Sequence, residues 1–426
     1  MYNDPMILHL DLDCFFVSAH RINNPKYNHI PLAVGGRSNL SIFDRKKSVK
    51  KISEISGAFT SSLLSSNDNK TFEEYFVDPD GRVRGIITTS SYEARAFGVK
   101  TAMSAAEALR YCPILKILPP NYPLYHELSL KLRRLLEKKI PSIEQPSIDE
   151  FFGDVSGWIK DEDVVDFAYK LKQQIQDELG LPISIGIAKT KWIAKLCTNH
   201  AKPFGVKLIL PHEVDAFIKN IPIKAFPGIG AAYQERLKTY SIKTLGEIQK
   251  KKELFYSWGK PGKQLYDRIC GIDNEKISYE KSGQSIGLGR TFDPIQDRDE
   301  ARRRITILSR HLSFLALKDK HQPMTFSLKI QYQYGEKSKS NMRANRVFSE
   351  QYLKQEMTKL FNTSDNHPHY AITQLVVTLS NFEENRHTTM DIFNYENDQK
   401  QSNVTTSLQK LRDKYGIDII KSGGEF

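Results

Sequence analysis

The stretch HLDLDCFF, residues 9–16, places two acids in what otherwise reads as the first strand of a buried sheet. Strand side chains alternate between faces, so Leu8, Leu10 and Leu12 share one face while His9, Asp11 and Asp13 share the other. The apolar face supplies a core contact. The acidic face must meet water, a cation or a positively charged partner, because an unpaired carboxylate is too costly to bury.

The 426 residues exceed one ordinary core, and a prior of about 100–200 residues per domain gives roughly three or four units. With 39% hydrophobic and 26% charged residues the chain is globular in composition rather than disordered. No apolar run approaches a membrane span, and the N-terminus lacks the features of a signal peptide, so a cytoplasmic protein with no membrane partner is expected. Cys14, Cys112, Cys197 and Cys270 are too dispersed for a zinc cluster or a disulfide framework. A net charge of +12 points to a polyanionic partner such as nucleic acid.

Strands are expected at PLAVGG (31–36), after Arg84, at LPISIGIA (181–188) and at GVKLIL, with a hairpin across IEQPSIDEFFGDVSG. Helical spacing marks segments beginning at Pro123 and Asp163, the latter stopping at Gly180, and the segment KTKWIAKLCTNHAKP. Residues 37–84 read as an insertion rich in Ser, Lys and Asn, with a hairpin at VDPDGRV as its only clear pattern. From Pro211 to about Lys276 the chain turns helical and basic, and FPGIGAAYQERLKTYSIKTLGEI has the form of a helix-hairpin-helix. Residues 284–383 follow the order strand, helix, strand, strand, helix, strand of a split βαβ domain. In MTFSLKIQYQY, Phe326, Leu328, Ile330, Tyr332 and Tyr334 are expected on one face, leaving the other polar and open.

Asp11 gains partners in SIDE, residues 147–150, which adds Asp149 and Glu150 on a second β element. Oxygen ligands of this kind suit Mg²⁺, and two such ions assist phosphoryl transfer; the same acids would serve equally as turn caps or arginine partners. Tyr92, Arg95, Lys189, Lys191, Lys195 and Lys202 bring the hydroxyl and cations that a triphosphate requires, although any single lysine reads as well as a solvated surface group. The glycines of PGIGAAY, Gly228 and Gly230, allow backbone N–H groups to approach a phosphate, or simply turn the chain between helices. Lys329, Lys339 and Arg343, beside Asn341 and Asn345, suit contact with a phosphate backbone.

Five blocks in order, HLDLDCFF, SSYEARAFGV, SIDEFFGDVSG, SIGIAKTKWIAKLCTNHAKPFG and FPGIG, resemble the Y-family, or translesion, DNA polymerases, in their bacterial DNA polymerase IV branch. The resemblance runs from Met6 to about Glu383. It implies an α+β multidomain right-hand polymerase: a palm (1–13 and 122–210), small fingers (14–121, carrying the insertion 37–84), a helical thumb (211–276) containing the helix-hairpin-helix, a linker (277–283), a βαββαβ little finger (284–383) and a C-terminal tail (384–426). It implies catalysis by Asp11, Asp149 and Glu150, with the Leu12 carbonyl assisting them in holding two Mg²⁺ ions. Asp13 is left a structural part. Cys14, Phe15, Phe16, Thr89, Tyr92, Arg95 and Lys195 fall at the nucleotide, with Phe16 as the steric gate against a 2′-hydroxyl; Phe15 also reads as core. Gly228, Gly230, Lys329, Lys339 and Arg343 fall at DNA.

The activity so implied is template-directed, low-fidelity DNA synthesis past damage, with primer–template DNA and dNTP as partners, by a monomer. A sliding-clamp peptide is expected near TMDIF, Thr389–Phe393, which lacks the usual leading glutamine. The rival readings are a metal-dependent nuclease using the same acids and an inactive polymerase-like DNA-binding scaffold. The Tyr92, Arg95 and Lys195 group disfavours the first, the intact acids the second. The insertion itself departs from the family pattern, and the core is expected to fold without residues 39–80.

Overall fold

The structure, a computed structural model, describes residues 5–44, 70–278, 285–318, 322–382 and 394–426. The chain forms two compact units, one of Met1–Gly35 with Thr71–Lys281 and one of Gly36–Lys70 with Ser282–Phe426.

In the first unit, the elements before the main helical run are β1 (Ile7–Leu12), α1 (Phe15–Asn23), β2 (Leu32–Gly36), α2 (Phe72–Phe76), β3 (Ile86–Ser90), α3 (Tyr92–Ala96), α4 (Ala105–Tyr111) and β4 (Lys116–Leu118). There follow α5 (Tyr122–Glu137), β5 (Ser142–Glu144), β6 (Glu150–Asp154), α6 (Val164–Leu179), β7 (Ile183–Ala188), α7 (Lys191–Ala201) and β8 (Val206–Ile209). The larger sheet has the order β5-β6-β1-β7-β8 and the smaller the order β3-β2-β4. Strand β1 is central, antiparallel to β6 and β7, and all six of its residues are buried.

The close seat of α7 on this sheet follows from Gly186. A Cβ built there would stand 2.2 Å from Ala194 O and 2.4 Å from Thr198 N, so only a residue without a side chain lets the helix backbone approach β7. Helix α6 ends where expected, at Gly180, whose φ of 68° is the left-handed stop that glycine adopts without cost.

The remaining helices are α8 (Val214–Ile218), α9 (Ala231–Lys238), α10 (Leu245–Gln249), α11 (Lys252–Tyr256) and α12 (Gly259–Ile269). Their core, with Phe226, Leu237, Leu245, Phe255 and Ile269, is continuous with Ile193 and Cys197 of α7. The expected helix-hairpin-helix is shorter than its sequence form. Only a single 3₁₀ turn, Ile223–Ala225, precedes the glycine turn, and α9 follows it.

In the second unit, β9 (Ser285–Ile295), α13 (Arg298–Lys318), β10 (Pro323–Tyr332), β11 (Lys337–Arg343), α14 (Glu350–Ser364) and β12 (Ile372–Phe382) form a sheet of order β11-β10-β12-β9, followed by α15 (Tyr395–Tyr415). Phe326, Leu328, Ile330 and Tyr332 point into its core as their alternation requires. Tyr334 does not: β10 ends at Tyr332, and Tyr334 sits at φ 72° with 80% of its surface exposed.

The insertion is not one piece. Its far end folds as α2, held by a capping box between Thr71 and Glu74, and Phe76 of that helix is fully buried with Ala33, Ile87 and Ile117. Removal of residues 39–80 would therefore empty part of the core around the small sheet, contrary to the sequence expectation. Its near end, with Ile42 and Phe43, packs into the core of the second unit.

The C-terminal tail is likewise built in. Arg310 of α13 is fully buried and donates to Glu425 Oε2 (2.7 Å), Ile417 O (2.6 Å) and Asp418 Oδ1 (2.9 Å). Glu350 pairs with Arg412 and, at 2.8 Å, with Lys354. Burial alone would raise the Glu350 and Glu425 carboxyls, but Arg412 and Lys354 for the one, and Arg310 and Lys354 for the other, hold them below the usual range.

Lowered carboxyl pKa values mean stabilisation that is complete at neutral pH and is lost as pH falls through those values, below the ordinary carboxylate range. Arg310→Ala removes the buried cation shared by Glu425 and Asp418, leaving Lys354 on Glu425, and is expected to cost the second unit about 3–5 kcal/mol at pH 7. Urea unfolding across a pH series should show that cost shrinking in acid.

Candidate active site

Asp11 and Glu150 are cross-strand partners at the ends of β1 and β6, so their side chains emerge side by side on the face that carries α7. Asp149 is fixed next to them because its carbonyl accepts from Leu12 N–H at 3.0 Å. Helix α7 and the residue after it read along this face one by one. Lys191 lies over the Phe152 ring, Lys195 Nζ is 2.6 Å from Glu150 Oε2, Thr198 Oγ1 is 2.8 Å from His9 Nδ1, and Lys202 Nζ is 2.6 Å from Asp11 Oδ1.

The demand posed by the acidic strand face is thus met by lysines. Burial raises the Asp11 carboxyl to about 7 against the pull of Lys202, and the charges of Glu150 and Asp149 add to the rise. Asp149 is also raised, chiefly by burial, while accepting from Ser147 Oγ at 2.7 Å. Three carboxylates crowded at one strand end are the donor chemistry of a hard cation site. Among the described residues no three such side chains yet surround one point as a closed ligand shell.

His9 faces the same way as Asp11 but is fully buried, 4.6 Å from the Phe152 ring, and its burial keeps the imidazole neutral. Asp13 lies beyond β1, which ends at Leu12, and accepts from Phe204 N–H (2.7 Å), Ser184 Oγ (2.9 Å) and Tyr92 Oη (3.1 Å). It ties three segments together.

Of the residues expected at a nucleotide, Cys14 is buried at φ 48° and begins α1, its thiol pushed up to about 11 by burial. Phe15 is core. Phe16 is half-buried and stacks on Tyr125, with centroids 4.1 Å apart and planes at 8°. Thr89 is half-buried on β3. Tyr92 opens α3 with its hydroxyl on Asp13, and its burial raises that phenol. Arg95 is exposed, lies 4.8 Å from the Tyr92 ring centroid and donates to Ser90 O.

A family model described as impB/mucB/samB matches residues 10–199, and the C-terminal domain model of the same family matches residues 283–392. The chain belongs to the Y family of DNA polymerases.

DNA polymerase IV of Yersinia pseudotuberculosis is 32% identical over 289 residues, covering 67% of this chain and 70% of that protein. DNA polymerase IV of Bacillus anthracis is 25% identical over 426 residues, 99% of this chain and 93% of its own. Among solved structures, a Y-family DNA polymerase chimera of Dbh and Dpo4 matches with a TM-score of 0.70 at 22% identity, over 89% of this chain and 100% of that one. An insertion ternary complex of Dbh DNA polymerase matches with a TM-score of 0.56 over the same shares. The larger sheet is accordingly the palm, the smaller the fingers, the helices after β8 the thumb, and the sheet of the second unit the little finger.

Sequence reasoning left open which lysines of the palm helix matter, and geometry separates them. Lys191 is 2% exposed and bonded to Glu144 at 2.9 Å, a structural pair. Lys189 meets Asp161. Lys195 and Lys202 stand on the acids. Lys202 reads in sequence only as one cation among several, because nothing there tells that the chain returns to β1.

In the thumb, Gly228 has φ 98°, Gly230 caps α9, and a Cβ at either would meet open space. In the little finger, Lys339 pairs across the strands with Lys329, and Arg343 with Thr325, on the sheet face opposite the core. Register adds Lys337 to that face and continues it through Gln374, Val376, Thr378 and Ser380 to Thr291, Gly289, Gly287 and Ser285. None of these named positions is a carboxylate, and exposed Asp293 follows Thr291 two residues on along β9. The clamp-peptide candidate, Thr389–Phe393, lies outside the described residues. Among those residues no helix is long and apolar enough to cross a membrane.

Gly186→Val should push α7 off β7, because the obstructing atoms are backbone. A loss of about 1–3 kcal/mol in denaturant unfolding is expected, whereas Gly228→Val, at an open but left-handed position, should leave the palm transition unchanged.

Proposed function

We propose that the chain extends a DNA primer on a template from dNTPs with two Mg²⁺ ions, acting across damaged template with low fidelity. The observation that carries this reading is the apposition of Asp11 and Glu150 across β1 and β6, with Asp149 beside them and Lys202 and Lys195 as counter-charges.

Asp11, Asp149 and Glu150, with the Leu12 carbonyl at their side, would hold the metal. When bound there, divalent ions promote attack of the primer 3′-oxygen on the α-phosphorus and stabilise the departing pyrophosphate. The remaining groups bind and orient. Tyr92 and Arg95 at the head of α3, with Thr89 before them and Lys195 and Lys202 opposite, offer hydroxyl and cationic contacts to a triphosphate. Phe16, pinned by its stack on Tyr125, serves as a rigid floor for the sugar and leaves no room for a 2′-hydroxyl.

The fingers are small, a three-stranded sheet with short helices, so few contacts are available to test the nascent base pair. Weak testing admits a bulky template base and wrong nucleotides alike. The basic grid of the little finger and the thumb glycines suit the phosphate backbone without reading bases.

Primer extension with purified protein, Mg²⁺ and single dNTPs tests the reading: lengthened primer supports it, and shortened primer would replace it with a nuclease. Asp149→Ala should abolish extension while leaving primer–template affinity within about twofold in a gel shift; extension that persists removes Asp149 from the site. Separately, Phe16→Ala should raise ribonucleotide incorporation by at least about tenfold, an amount equal to ~1.4 kcal/mol of discrimination. Unchanged sugar selectivity would exclude the gate.

A further inference from the structure

The strand β2 of the fingers ends at Gly36, and within a few residues the chain is part of the little finger's core. Ser38 Oγ accepts from Thr291 N–H (3.3 Å) and Asn39 O accepts from Arg290 Nε (2.9 Å), so this segment lies along β9, the edge strand of the sheet. Exposed edges invite pairing with foreign strands, and a covering segment removes that hazard. The 3₁₀ turn Leu40–Phe43, capped by Asn39, then drives two side chains inward. Ile42 and Phe43 are 7% and 6% exposed, values of core residues.

Phe43 is held from three sides. Its ring meets Phe292 edge-on at 6.2 Å, the Arg304 guanidinium lies 4.9 Å from its centroid, and its carbonyl accepts from Arg303 at 3.0 Å. Arg303 also donates to Glu425 O at 3.1 Å, and Lys421 Nζ donates to Asp44 O at 3.2 Å. The end of the sequence, anchored by buried Arg310, therefore closes over the same turn. Two segments far apart in the chain, 38–44 and 417–426, meet on α13.

We propose that residues 38–44, secured by residues 417–426, are a latch that gives the little finger a second attachment to the catalytic unit, besides the linker after the thumb. The tether has almost no slack. Two residue steps separate Gly36 from Ser38, at most about 7 Å of chain. A connection that short raises the effective concentration of one unit for the other, which adds to the grip on DNA when both contact the same duplex. The latch rests on contacts inside the second unit and not on the polymerase chemistry, so its test is separate.

A sequence-specific protease site is placed within residues 279–284 of the full chain, and the cut protein is run on gel filtration. The two pieces are expected to co-elute, to separate in the double variant Ile42→Ser, Phe43→Asp, and to co-elute again with Phe43→Leu. Separation of the otherwise unaltered cut chain, or co-elution of the double variant, overturns the latch. Should the double variant unfold the little finger before cutting, hydrogen exchange on the unaltered cut chain decides. Amides of residues 41–44 protected like those of α13 support the latch, and exchange at the rate of a free peptide overturns it. In the uncut chain, the double variant should weaken primer–template affinity several-fold in a gel shift, and affinity equal to the unaltered chain also overturns it.

Discussion

Like charges cannot be buried side by side without compensation, and the palm is arranged around that constraint. Placing Asp11 opposite Glu150, with Asp149 adjacent, gathers negative charge at one strand end, where Asp11 is buried and the other two are half-buried. Burial raises the Asp11 and Asp149 carboxyls, and the neighbouring Glu150 charge adds to both. Compensation comes from one helix. Lys195 on α7 and Lys202 just beyond it reach the acids because α7 lies nearly in contact with the β7 backbone, and that approach exists because residue 186 has no side chain. A glycine chosen for packing thus sets the electrostatics of the site. The lysines hold the acids in place, Lys202 pulling against the rise of Asp11, and the same positions put ammonium groups where a polyphosphate would need them.

The regular parts of both units were legible because period and punctuation agree there. The alternation in β1 and β10, the helical spacing of α5 and α6 and the glycine stop at Gly180 follow from local sequence alone. So does the shared face of His9 and Asp11. What could not be read was which partner answers each side. His9 and Asp11 are equivalent in pattern, yet one is a neutral buried ring on Phe152 bonded to Thr198 and the other a carboxyl on Lys202, a difference set by residues about 190 positions away. Lys191 and Lys195 share a helical face in sequence, and only the fold sends Lys191 to Glu144.

The insertion was misread for a related reason. Ser, Lys and Asn suggest a solvated loop, but a few apolar residues suffice to anchor one when they meet an existing core. Phe76 does so in the fingers from a helix of five residues, too short to show a period and visible only in its Thr71–Glu74 capping box. Ile42 and Phe43 do so in the little finger from a single 3₁₀ turn. The C-terminal tail is anchored in a different way: Arg412, Asp418 and Glu425 are members of a buried ion-pair network.

Charge in the little finger is consequently divided by function. Arg303, Arg304, Arg310, Lys354 and Arg412 are spent against Glu300, Asp418, Glu425 and Glu350 on the helical side of the sheet. Lys329, Lys337, Lys339 and Arg343 occupy the open side, in register with serine, threonine, glycine, glutamine and Val376, and Asp293 follows Thr291 at the edge strand. A net charge of +12 would by itself say little about where a polyanion binds. Among the described residues several cations of the helical side are matched by acids there, and the basic groups of the open face are not. A flat sheet face of uncompensated cations and small hydroxyl donors favours a regularly spaced phosphate backbone over any particular base sequence.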